Sequence, residues 1–147
     1  MFNIILAAYD GSNGAYAAIE KAAELANLTD ARLVVLTVFR HHSMLEASLS
    51  MVRGSSEAGK NMDDVMRGVA REAAEEAKAR AKELGVERVS AFIKSGPSAR
   101  TIVNFAAEKG CDLIVIGSRG LGSSEGYMLG SVSHKVTSLT DIPVLVI

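Results

Sequence analysis

Four short apolar runs, NIILAAY (3–9), RLVVLTVF (32–39), DLIVIG (112–117) and PVLVI (143–147), are spaced along the chain with helix-like stretches between them. The runs are nearly continuous rather than alternating, as strands covered on both faces are. A fifth, weaker run, RVSAFIKS (88–95), reads as an edge strand. In the gaps, apolar residues recur at helical spacing. Ala15, Ala18, Ile19, Ala22 and Ala26 share one face over 13–27. Val65, Val69, Ala73 and Ala77 do so over 62–84, with Glu76 and Arg80 paired on the outer side. Ile102, Val103 and Ala106 point inward from 97–109, where Pro97 suits the first helical position. Val132, Val136 and Leu139 form the apolar side of a short helix over 131–139. Gly85 and Gly110 fall where a left-handed residue ends a helix. The order β-α-β-α-β-α-β-α-β predicts an α/β fold, a doubly wound parallel sheet with helices on both faces and right-handed crossovers.

The segment 40–61 has no clear period and is expected to be a long irregular connection. Gly68 costs about 1 kcal/mol inside a helix, which favours a later start for the second one. The chain has 147 residues, the size of a single domain over 1–147. Sixteen Lys and Arg oppose 17 Asp and Glu, a formal charge of −1, so the general attraction that draws proteins to nucleic acid is missing. Cys111 is the lone cysteine, which excludes an internal disulfide and Cys-rich zinc modules. No apolar run is long enough to span a bilayer. The N-terminus meets Asp10 early and has no basic start, so a cytoplasmic protein without membrane contact is expected.

In a doubly wound sheet a ligand sits beyond the carboxyl ends of the strands, where the strand order reverses. The first strand ends at Asp10, Gly11 and Ser12, and the fourth ends at Gly117. Five of the 13 glycines lie within 117–130, and Gly130-Ser131 opens the last helix. A glycine-rich loop that runs into a helix N-terminus outlines a phosphate cradle. Two other glycine patterns fit less well. GSSEAGK (54–60) imitates a phosphate loop, but Asn61 stands where Ser or Thr should be and no strand directly precedes it, so it reads as a solvated loop. Gly120, Gly122 and Gly126 loosely imitate a dinucleotide fingerprint, yet only one strand follows them.

The pattern Gly117-x-x-Gly120-x9-Gly130-Ser131, flanked by DLIVIGSRG and GSVSHKVTSLTDIPVLVI and joined to a first strand ending in Asp10, resembles the ATP-binding branch of the universal stress protein family. The resemblance covers essentially the whole chain apart from 40–61. It implies a five-stranded parallel sheet of order 3-2-1-4-5 and a homodimer formed through the C-terminal strand. It also implies an adenine-nucleotide site. Asp10 would contact the adenine or ribose side, with Ala8 and Val38 lining the base pocket. Gly117 and Gly120 would approach ribose and phosphate. Gly130, Ser131 and Val132 would offer amides to the phosphates, and Arg119 would add charge. The insert LGSSEGYML carries Glu125 and no cation, which leaves ATP, ADP and AMP as alternatives, with Mg or Mn held through the phosphates.

Asp10 and Ser131 also suit plain helix capping. The adjacent His41 and His42 lack helical metal-pair spacing, Cys111 reads as packing, and Met44, Met51, Met62 and Met66 as core filling or a flap. The function expected is a nucleotide-binding stress-response protein acting as a dimeric switch. The alternatives are a slow ATPase or phosphoryl-transfer enzyme, for which Asp10, Arg119 and His134 are thin candidates, and a dimeric scaffold without ligand.

Overall fold

The computed structural model describes residues 1–40, 56–118 and 129–147, those of 56–61 by their backbone alone. The elements run β1 (Ile4–Ala8), α1 (Asn13–Thr29), β2 (Arg32–Phe39), α2 (Ser56–Glu83), β3 (Val89–Ser95), α3 (Ser98–Glu108), β4 (Leu113–Ile116), α4 (Ser131–Leu139) and β5 (Val144–Val146). The strands form one five-stranded sheet of order β3-β2-β1-β4-β5. Every pairing is parallel, with Ile5 beside Leu33 on one side of β1 and beside Leu113 on the other. This is the α/β architecture and strand order that the sequence implied, with RVSAFIKS at an edge.

Side chains alternate across each strand, so one set of residues serves each face. Ile5, Ala7, Leu33, Val35, Leu113 and Val115 pack with α1 and α2. Leu6, Ala8, Val34, Leu36, Ile114 and Ile116 pack with α3 and α4. Burying each Leu, Ile or Val removes it from water at a gain of about 1.5–3 kcal/mol, and β1 and β4 accordingly carry no polar residue. Alanines at positions 15, 18, 22, 23 and 26 let α1 lie close to the sheet. Gly85 and Gly110 have positive φ, 97° and 68°, and close α2 and α3 as expected.

The helix after β2 differs from the sequence reading. It starts at Ser56, so the irregular connection expected over 40–61 is shorter at its far end, and 41–55 lie outside the described residues. The last part of GSSEAGK is therefore helix and not a solvated loop. The buried stripe is Ala70, Ala74, Ala77 and Ala81, while Val65 and Val69 are 60% and 62% exposed and Met62 is half-exposed. A spacing of four is shared by two neighbouring stripes, and Ala77 belongs to both. Length separates them: 28 residues of helix reach about 42 Å, whereas the eight residues of β2 reach about 26 Å. The first turns of α2 therefore run past the sheet. Arg80 pairs not with Glu76 but with Glu20 of α1 at 2.9 Å and Glu83 at 3.2 Å. Leu139 is half-exposed, and the apolar side of α4 rests on Val136 and Val132. Pro97 is the N-cap of α3 and not its first helical residue. Among the described residues, no helix is long and apolar enough to cross a membrane.

Candidate functional site

A cavity of about 430 Å³ opens at the carboxyl ends of β1, β2 and β4, where the connections leave β1 on both sides. Its apolar wall is made by Ala8, Leu36, Val38, Ile102 and Ile116, all from the face that carries α3 and α4. Asp10, Ser12 and Ala15 bound it at the start of α1, and Arg40 and Ser98 at the ends of β2 and the β3–α3 turn. Gly130, Ser131, Val132 and Ser133, the first turn of α4, complete the rim. Ala8, Asp10, Val38, Gly117, Gly130, Ser131 and Val132, which the sequence singled out, thus line one space. Arg119 and Gly120 lie outside the described residues, as do His41, His42, Met44 and Met51.

In the turn after β1, side chains take up two main-chain amides. Asp10 is not the N-cap of α1: its Oδ1 accepts from the Ser12 amide at 2.9 Å, and the Ser12 hydroxyl oxygen accepts from Ala15 N at 3.1 Å. Gly11, at φ 86°, makes the bend that puts Ser12 in the capping position. The turn before α4 works differently. Gly130 is the N-cap and has no side chain to lend, so Ser131 is the first helical residue. The Gly130 backbone, at φ −65° and ψ 163°, is one that any residue adopts, so the main-chain conformation does not call for glycine there. Without a cap, the first-turn amides and the positive end of the helix dipole face the cavity, an arrangement suited to an anion.

Ser133 escaped the sequence reading. It is 2% exposed and its hydroxyl reaches the carbonyl oxygens of Ser118 at 2.8 Å and Gly130 at 3.1 Å. Gly130 N also donates to the Ser118 carbonyl, so the end of β4 and the start of α4 are tied at two points. Gly117 has a structural task besides any ligand: a Cβ there would lie 2.7 Å from the carbonyl carbon of Gly14 and 2.9 Å from its oxygen. Arg40 was also missed, although it follows Val38 by two residues and so falls on the same face. Burial, more than the nearby Glu76, raises the pKa of Tyr9 and keeps this cavity-lining phenol neutral.

His134 is exposed and is not among the lining residues. Burial pushes the Cys111 thiol up to about 11, as suits an inert packed side chain. Among the described residues, no group of three or more His, Cys, Asp or Glu is placed to hold a metal ion.

The profile of the Universal stress protein family matches residues 1–147. The chain belongs to that family. Universal stress protein YxiE of Bacillus subtilis is 39% identical over 150 residues, covering 100% of this chain and 99% of the relative. Among solved structures, universal stress protein UspA from Lactobacillus plantarum superposes with a TM-score of 0.83 at 23% identity, covering 99% of this chain and 97% of that one. The universal stress protein from Archaeoglobus fulgidus, in complex with dAMP, gives a TM-score of 0.69 at 23% identity, with 99% and 97% covered. Similarity at that level of identity speaks for the fold of this universal stress protein, and the site rests on its own geometry.

Proposed function

We propose that this universal stress protein binds an adenine nucleotide at the carboxyl ends of its strands. The observation that carries the reading is an apolar slot ending at a helix N-terminus whose N-cap is Gly130. The base lies against Ala8, Val38 and Ile102, the ribose beside Asp10, and the phosphates against the amides of Ser131 and Val132. Ser131 adds a hydroxyl. Arg119 and Gly120 extend the phosphate contacts from the glycine motif, and Mg or Mn, where present, is held through the phosphates. The dAMP complex of the Archaeoglobus fulgidus neighbour supports the choice of an adenine nucleotide. ATP, ADP and AMP all fit this scheme.

The protein works as a regulatory module and not as an efficient catalyst, and it pairs as a homodimer through β5, the free edge next to β4. Occupancy changes partner contacts only to the extent that the nucleotide favours one conformation over another. Titration calorimetry of the purified chain with AMP, ADP and ATP tests the reading. Saturable binding below millimolar concentration is expected, and no heat at millimolar ATP rejects it. Sedimentation of the same sample reads the dimer separately.

A further inference from the structure

Arg40 is the one cation among the described residues that line the cavity. It follows Leu36 and Val38 on the same face of β2, one step beyond the strand end. The Gly96 amide donates to the Phe39 carbonyl at 3.0 Å, which fixes the main chain immediately before Arg40 against the β3–α3 turn. The side chain is exposed and makes no ion pair among the described residues. The open start of α4 follows β4, and β1 lies between β4 and β2. Two strand spacings, about 10 Å, therefore separate the phosphate side of the slot from the β2 side. That is comparable to the distance from a nucleotide's phosphate to the far edge of its base.

We infer that Arg40 lays its guanidinium over the outer face of the bound base and so sets a preference for purines, independent of the number of phosphates. The inference rests on the nucleotide reading above. The apolar wall receives one face of the base, and a planar, weakly hydrated cation is suited to cover the other.

The test compares the full-length wild-type chain with Arg40→Ala, measuring affinity for AMP, ATP and CMP, and for inorganic triphosphate as a competitor. The substitution is expected to weaken AMP and ATP by the same factor, about two- to fivefold, which is the range of an exposed cation–π contact. CMP is expected to lose less, and triphosphate nothing, with the melting temperature unchanged. A larger loss for ATP than for AMP, or a loss for triphosphate, makes Arg40 a phosphate contact and overturns the inference. Unchanged AMP affinity overturns it as well. A wild-type chain that binds neither AMP nor ATP defeats the nucleotide reading itself, a result distinct from the other two.

Discussion

Two strand-to-helix turns border the cavity and are built in opposite ways. After β1, side chains take up main-chain donors: Asp10 accepts from Ser12 N and Ser12 accepts from Ala15 N. Before α4, the buried side chain reaches main-chain acceptors instead, since the Ser133 hydroxyl shares its one proton between the carbonyls of Ser118 and Gly130. One turn is closed by its own carboxylate and hydroxyl. The other is tied through its carbonyls, and its amides stay uncommitted by any N-cap side chain. Every helix has a positive end, and these two differ in that α1 caps its own with a side chain and α4 does not.

The sharpest way to break the contrast is Gly130→Asp, which supplies α4 with the kind of cap that α1 has. The backbone there accepts a side chain, so the helix should be unharmed or gain about 0.5 kcal/mol. Nucleotide affinity should fall by about two orders of magnitude, because a carboxylate now occupies the amides and repels phosphate. Calorimetric titration and a denaturation curve together read the two opposed effects. Gly117→Ala comes next. Its Cβ meets main chain at Gly14, so the end of β4 and the start of α1 must separate, at a cost of about 2 kcal/mol in urea unfolding.

Ser133→Ala sharpens the comparison from the other side. It removes the hydroxyl proton that two part-buried carbonyls share and should cost about 1 kcal/mol. Nucleotide binding should weaken with it, as the first turn of α4 loses its tie to β4. Ser12→Ala should also cost about 1 kcal/mol of stability through the lost cap of α1. Binding should stay within about twofold, because the Asp10 carboxylate still takes up the Ser12 amide in that turn. Equal losses of affinity in the two serine variants would show that the turns are not functionally different.

Much of this arrangement was legible in the sequence. The buried strands β1, β2 and β4 announce themselves as nearly continuous apolar runs, and the alternation with helices dictates a parallel sheet. Most of the residues placed at the site by resemblance line one cavity, because they sit at the ends of those strands. What was not legible depends on partners distant in sequence. Asp10 and Ser12 are both able to cap, and only the bend at Gly11 selects Ser12. Ser133 looks like any hydroxyl on a short exposed helix until the Ser118 carbonyl is found beneath it. On α2, periodicity offered two adjacent stripes, and the reach of the sheet chose the alanines over Val65 and Val69.

The contact at Gly117 has a consequence for how the chain tolerates change over generations. Crowding between two side chains can be relieved by trimming either one, so such positions often drift as compensating pairs. Here the obstacle is the Gly14 main chain, which has no side chain to trim. No second-site replacement restores the missing room, and a saturation library should show position 117 as an almost blank column even under selection for folding alone.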